Sequence, residues 1–346
     1  MANDNLRQAK AAKNDEFYTQ YGDIAAELKH YSAFLHGKTV LCNCDDPTWS
    51  NFWKYLHNNF SVLGLKKLIS THYEPDGSPS YKMEYEGGDD LNTEVGTVTP
   101  LKGNGDFRSE ECIELLRSSD VVITNPPFSL WIPYIQTIIE AGKSFIVIGN
   151  INAAHNKDTF PLILKNKMWL GNGFRNGNAY FAVPEDADVS QYAAGVYNPD
   201  TKLVHFRNCT WYTNIDIKKR HIPFFPPEDA HCYYEGNEDK YPKIFNTDYD
   251  IIEVNKTDMI PIDWNGLMSV PVSYLDKHNA QDFSIVGYSG DRKFAKRMQE
   301  LASKGSYTQG GPSFYIVDPT NTARYKRLFS RIVIKNLHPV SRKDDI

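Results

Sequence analysis

Thr124-Asn125-Pro126-Pro127-Phe128 is the stretch of this sequence best suited to chemistry, because it sets polar acceptors beside an aromatic face on a backbone that cannot bend. Each proline fixes φ near about −65° and lacks an N–H, so neither can continue a central strand. Asn125 precedes a proline and is pushed toward an extended conformation, which holds its side-chain amide and the Pro126 carbonyl on a stiff tip. Two acceptors and the Phe128 ring suit an exocyclic amine on a flat ring better than a phosphate or a metal. An isolated Pro-Pro pair is more often a plain turn ending in a core phenylalanine. Here the tip follows the apolar run "DVVI" and precedes the helix-like "SLWIPYIQTIIEAG", which favours the functional reading. A second tip, "GNGDF", places the acceptor Asp106 and the ring of Phe107 behind two glycines that let the backbone turn closely.

The elements that position these tips alternate for about 150 residues. A helix over Ile24–Leu35 is followed by the strand "KTVLCNCDD", the helical "SNFWKYLHNNF", the strand "LKKLIST", a Gly- and Pro-containing excursion, and "GTVTPLKGNGDF", strand then turn. "SEECIELLRSS" has a Ser start and acids in its first turn, as helix entries do. The strand "DVVITN", a helix ended by Gly142 and the strand "SFIVIGN" complete the run. This pattern predicts an α/β domain with a mostly parallel sheet. "NAYFAV" and "KLVHFRNCTWYTN" are expected to close the sheet as an antiparallel hairpin. Ligands of such sheets bind at the carboxyl ends of the strands, where "CDDP", "HYEPD", "GNGDF" and "TNPPF" are expected to converge. Helices thin out beyond Asp216, so the sequence divides into residues 1–215, a catalytic domain, and 216–346, a recognition region.

Composition narrows the classes. The 346 residues hold five cysteines, an odd number without a C-x-x-C pair, which supports neither a disulfide framework nor a zinc site, and no metal is expected. No apolar run approaches the roughly 20 residues that span a bilayer, and the polar start has no signal-peptide character, so no membrane association and a cytoplasmic location are expected. Net charge is −5, yet residues 291–346 carry 12 Lys or Arg against 5 Asp or Glu. A basic segment on an acidic body fits a polyanion partner. Within it, "DRKFAKR" offers Arg292, Lys293, Lys296 and Arg297 as phosphate contacts, and "RYKRLF" again mixes basic and aromatic side chains.

Several of these stretches together resemble one family. "DEFYTQY", "CNCDDP" followed by "SNFWKY", "GDFRSEECIELL", "TNPPFS", "IGN" before a helix, "WYTNID" and the later "VPVSYLDKHNAQDFSIVG" are similar to the EcoRI-type DNA adenine-N6 methyltransferases. These belong to the Asn-Pro-Pro-aromatic amino-methyltransferases that use S-adenosylmethionine. The resemblance implies a Rossmann-like methyltransferase sheet and transfer of a methyl group from S-adenosylmethionine to adenine N6 in double-stranded DNA. It implies a modification enzyme, acting as a monomer, with a companion restriction endonuclease for the same site and no stable complex between them; GAATTC or a related palindrome is the first site to test. Phe17, Tyr18 and Thr19 would line the methionyl side of the cofactor, Asp45 or Asp46 would face its ammonium, Glu74 (with Asp76 competing) its ribose, and Asp106 and Phe107 its adenine. Asn125 and Pro126, stiffened by Pro127, would accept the two N–H groups of the target amine. A flipped adenine would stack between Phe128 and Tyr212, with Trp211 the alternate. The sequence departs from the wider class in lacking a glycine-rich turn after the first strand, where "CNCDDPTWSN" stands. Related tips also serve cytosine N4, RNA adenine or protein glutamine, and a catalytically inactive DNA-binding relative is a further alternative. A dinucleotide oxidoreductase is disfavoured because no G-x-G-x-x-G follows the first strand.

Overall fold

Short β-branched runs fix the centre of the fold: Thr39–Cys42 (TVLC) and Val121–Thr124 (VVIT) are buried along their whole length, as strands covered on both faces must be. The computed structural model describes residues 17–74, 79–174, 177–183, 189–226, 230–296, 301 and 312–340. Its contacts divide into two compact units, Met1–Ile151 with Met168–Ile217, and Asn152–Lys167 with Lys218–Ile346. By packing, Asn152–Lys167 therefore belongs with the chain beyond Ile217.

The strands of the first unit are, in order, β1 (Tyr18–Thr19), β2 (Thr39–Cys42), β3 (Lys67–Thr71), β4 (Tyr81–Tyr85), β5 (Thr97–Pro100), β6 (Val121–Thr124), β7 (Ser144–Asn150), β8 (Trp169–Leu170), β9 (Ala179–Ala182), β10 (Tyr197–Asn198), β11 (Leu203–Phe206) and β12 (Cys209–Thr213). Eight of them form one sheet in the order β5-β4-β3-β2-β6-β7-β12-β8. β3, β2, β6 and β7 are parallel. Antiparallel pairs flank them, β4 and β5 on one edge, β12 and β8 on the other. The expected mostly parallel sheet is thus a mixed sheet with a parallel centre. Connection length explains one edge: β3 ends at Thr71 and β4 begins at Tyr81, too short for the dozen or more residues of a parallel crossover. The expected closing hairpin is also redistributed. β12 joins the large sheet, whereas β9 and β11 pair in a separate antiparallel sheet of order β1-β9-β11-β10. The strand expected to carry the "GNGDF" tip, β5, is an edge strand.

The longer helices in the connections between the parallel strands start on clear signals or bury an apolar stripe. Asn51–Asn58 starts on Ser50, whose Oγ accepts from Phe52 N at 3.1 Å. Glu110–Ser118 starts on Ser109, whose Oγ accepts from Cys112 N at 3.2 Å, with Glu110 and Glu111 in the favourable first turn. Trp131–Glu140 buries Trp131, Tyr134, Ile135 and Ile138. The helix expected over Ile24–Leu35 is instead Tyr21–Leu28, a 3₁₀ turn, and Ser32–Leu35. β2 leads to β3 on one side while β6 lies on its other side, so the strand order reverses at β2 and opens a crevice at the carboxyl ends of β2 and β6.

In the second unit, Ile251–Glu253 runs parallel to Leu267–Pro271, which pairs antiparallel with Arg331–Asn336, itself antiparallel to Phe283–Tyr288. A separate two-stranded ribbon joins Tyr315–Asp318 to Asn321–Arg327.

Candidate active site

The crevice has a volume of about 790 Å³ and draws its walls from the residues after β2, β5 and β6 and from β1. Asn125 leaves β6 with its Nδ2 donating to the Phe17 carbonyl at 2.7 Å. A carbonyl can only accept, so this bond fixes which end of the amide is nitrogen. Oδ1 is left buried without a hydrogen-bond partner. Buried polar atoms are paired in the great majority of cases, and an unmade bond costs about 1–3 kcal/mol. The Thr19 Oγ1, also in the crevice wall, is likewise buried and unpartnered. β1 is clamped at both ends, because the Asn51 Nδ2 donates to the Thr19 carbonyl at 2.8 Å.

The two adjacent aspartates separate. Asp45 lines the crevice, its Oδ1 accepting from Ser50 Oγ at 2.8 Å and its Oδ2 from Thr124 Oγ1. Ser50 thereby ties the carboxylate to the start of the Asn51–Asn58 helix, at the place where a glycine-rich turn is missing. Asp46 is spent on structure: its Oδ1 accepts from Thr48 N (2.8 Å), Thr48 Oγ1 (2.6 Å) and Tyr81 OH (2.9 Å), and its Oδ2 lies 2.8 Å from His72 Nδ1. Burial and then Asp46 push the Tyr81 phenol up to about 12.

The "GNGDF" loop reaches the crevice by returning to the tip of β3. Glu74 N donates to Asn104 O at 2.8 Å and Ser80 N to Gly103 O at 2.9 Å. Gly105 has φ +81°, and a Cβ there would stand 2.0 Å from the His72 carbonyl oxygen. This close approach brings Asp106 and Phe107 into the wall, Phe107 edge-on to Tyr134 at 5.0 Å. Arg108 grips Asp106 through Nε–Oδ1 (2.9 Å) and Nη2–Oδ2 (2.5 Å) and holds its carboxyl below the usual range. Glu74 is not in the wall; its carboxylate stands 3.4 Å from His72 Nε2, and the exposed Tyr73 lines the crevice instead. Asp76 lies outside the described residues.

Of the tip, Asn125 and Pro127 line the crevice, and Pro126 is buried. Phe128 is half-buried among Phe17 (5.6 Å), Phe206 (6.3 Å) and Phe181 (6.4 Å). Tyr212 and Trp211 do not meet it. Both are fully buried in β12. Trp211 stacks on Phe174 at 5.7 Å in the core, while Tyr212 packs on Trp131 and donates to the Asn150 carbonyl at 2.9 Å. The expected second stacking face is therefore a pair of core aromatics, because antiparallel pairing to β7 places β12 inside the sheet. Phe17 is the crevice aromatic nearest Phe128. Trp49, against Tyr18 at 4.0 Å, and Arg108 also line the crevice and were not singled out from the sequence; the Trp within "CNCDDPTWSN" was the available signal. In the second unit, Arg292, Lys293 and Lys296 are exposed, with Lys293 5.3 Å over the buried Phe294 ring; Arg297 lies outside the described residues. No cluster able to hold a metal occurs among the described residues, and none of their helices is long and apolar enough to cross a membrane.

A parallel-centred α/β sheet with an Asn-Pro-Pro-Phe tip in its switch-point crevice is consistent with an amino-methyltransferase. The family described as "Adenine-specific methyltransferase EcoRI" matches residues 5–337. The chain is 42% identical over 308 residues to the Type II methyltransferase M.EcoRI of Escherichia coli, covering 85% of this chain and 90% of that protein. It is 38% identical over 283 residues to the Type II methyltransferase M.MpnI of Mycoplasma pneumoniae, covering 81% and 84%. Type II methyltransferase M.MgeORF184P of Mycoplasma genitalium is 37% identical over 290 residues, 81% and 85% covered. No solved structure matches the chain. The protein belongs to the EcoRI-type family of adenine-specific DNA methyltransferases.

Proposed function

We propose that this protein transfers the methyl group of S-adenosylmethionine to N6 of an adenine flipped out of duplex DNA, as the modification enzyme of a restriction-modification system. The observation that carries this reading is the buried, unpartnered Asn125 Oδ1 on a rigid tip. An adenine amine is a poor nucleophile because its lone pair is delocalised into the ring. Oδ1 accepts one N–H and the Pro126 carbonyl the other, which draws the nitrogen toward tetrahedral geometry and aims its lone pair. The prolines and the Phe17 carbonyl keep these acceptors fixed, so positioning and preset electrostatics do the work.

The crevice residues suit the cofactor. Asp45 offers a carboxylate to its ammonium, Thr19 Oγ1 an unmade hydrogen bond to its methionyl end, and Asp106 with Phe107 an acceptor and a ring face to its adenine. When bound, the cofactor supplies an electrophilic sulfonium methyl. Inside a duplex the amine could not reach this crevice, hence base flipping, with Phe128 and Phe17 as the nearby aromatic faces. Residues beyond Ile217 recognise the DNA, and the enzyme acts as a monomer in the cytoplasm, where its DNA substrate lies. A companion endonuclease would cut the same site without a stable complex.

Single-turnover methylation of a duplex target tests the reading. Asn125→Ala is expected to slow transfer on the order of 10²-fold while cofactor affinity changes little, since the lost acceptor acts mainly in the transition state. Duplex carrying 2-aminopurine at the target should still brighten on binding as the base leaves the stack. A rate within about threefold of wild type, roughly 0.7 kcal/mol of barrier, rejects the role of Asn125; an unchanged fluorescence rejects flipping.

A further inference from the structure

The second unit carries an unassigned basic surface built from two pieces joined by one side chain. Asn246 is fully buried, and its Nδ2 donates to the carbonyls of Lys296 (3.2 Å) and Ser313 (2.9 Å). Its Oδ1 accepts from Tyr315 N at 2.8 Å, and its own carbonyl accepts from Lys296 N at 2.6 Å. The loop that exposes Arg292, Lys293 and Lys296 is thereby stapled to the base of the two-stranded ribbon. Phe294, Phe314, Ile316 and Leu328 close one apolar core beneath both. At its base the ribbon is packed on both faces, Ile316 in that core and Tyr325 on Phe245 at 4.1 Å. By strand alternation Thr322, Arg324 and Lys326 share the Ile316 face, Lys326 standing opposite Ile316, and all three side chains are exposed. Just past the ribbon Phe329 is 89% exposed, at the rim of a recess of about 770 Å³.

An antiparallel ribbon has the width of the major groove of B-form DNA, and an exposed Arg on it can pair bidentately with guanine. We infer that the ribbon Tyr315–Asp318/Asn321–Arg327 enters the major groove of duplex DNA with Arg324 at the base edges and Phe329 against apolar groove atoms. The loop stapled by Asn246 holds the flanking phosphates through Arg292, Lys293 and Lys296. The surplus of positive charge in residues 291–346 matches the partner. This inference rests on the proposed action on duplex DNA and assigns base reading and phosphate contact to different elements.

The test uses the full chain and the site that long-read sequencing shows to be methylated in cells expressing the wild type. Affinities for target and unrelated duplexes are measured across a salt series, with cofactor binding as the check on folding. Arg324→Ala should weaken target binding about tenfold or more and leave unrelated duplex nearly unchanged. The triple variant Arg292→Ala, Lys293→Ala, Lys296→Ala should weaken both alike and flatten the log–log salt slope by about 0.9 per lost contact. Phe329→Ser should act as Arg324→Ala does, in smaller measure. If Arg324→Ala lowers both affinities equally, or neither, in a wild type that methylates duplex DNA, the ribbon is not the reader and the proposed function stands. If the wild type methylates no duplex DNA, both fall.

Discussion

At the scale of single residues, the crevice is organised by which polar atoms are committed and which are not. Asp46 is held by Thr48, Tyr81 and His72 away from the wall, its neighbour Asp45 is held in the wall by Ser50 and Thr124, and the buried Asn125 Oδ1 and Thr19 Oγ1 are the uncommitted atoms. Adjacent residues of one type are equivalent in a sequence, so that choice was legible only once His72 and Tyr81 were placed. Asn51 carries a further consequence of the same kind. Its amide holds the Thr19 carbonyl, and with it the strand that walls the crevice. Asn51→Ala leaves that carbonyl unmet, a cost of about 1–3 kcal/mol, and should raise the cofactor dissociation constant roughly tenfold, about 1.4 kcal/mol. Duplex DNA affinity should stay within about twofold. Isothermal titration calorimetry of the variant checks this, and an unchanged cofactor affinity would remove β1 from the cofactor wall. The tips "TNPPF" and "GNGDF" were readable because proline and glycine fix backbone behaviour locally. The burial of Tyr212 and Trp211 was not, because it depends on the register of β12 against Val147 and Ile148 of β7.

At the scale of elements, alternating apolar runs identified β2, β3, β6 and β7 and the helices between them, since buried parallel strands read as continuous β-branched runs. The edges were harder. β4 (YKMEY) alternates apolar and charged residues, its Glu84 meeting Lys67 at 2.8 Å and Lys82 at 2.9 Å. β9 pairs with β1 across more than 150 residues of chain, which no local pattern records. The β3 tip and the "GNGDF" loop form one such nonlocal junction, and Gly105 is its tightest point. Gly105→Ala places a Cβ against backbone, which no side-chain rotamer relieves, and at a positive φ that costs a further ~1 kcal/mol. The variant should unfold at lower temperature and lose cofactor affinity more than tenfold, whereas Gly103→Ala, with open space around the added carbon, should change neither much. Thermal denaturation with and without cofactor distinguishes the two; equal behaviour would mean the loop does not position Asp106 and Phe107.

At the scale of the whole molecule, an acidic chain of net charge −5 concentrates positive charge in its last 56 residues, a division visible in the sequence and realised in the second unit as an exposed basic loop and ribbon. The unit boundaries were less legible. Asn152–Lys167 packs with the second unit although it lies between β7 and β8 of the first, and contacts made by a chain that leaves and returns have no local signature. Family membership fixes adenine in DNA as the class of substrate, and the role proposed for Asn125 makes N6 the atom to test. The most direct test is to incubate duplex DNA with the protein and isotopically methyl-labelled S-adenosylmethionine, digest it to nucleosides, and identify the labelled species by mass spectrometry. The account predicts N6-methyladenine as the single labelled nucleoside, mapping to one short sequence for which GAATTC is the first candidate; label on cytosine N4, or none in DNA, would contradict it.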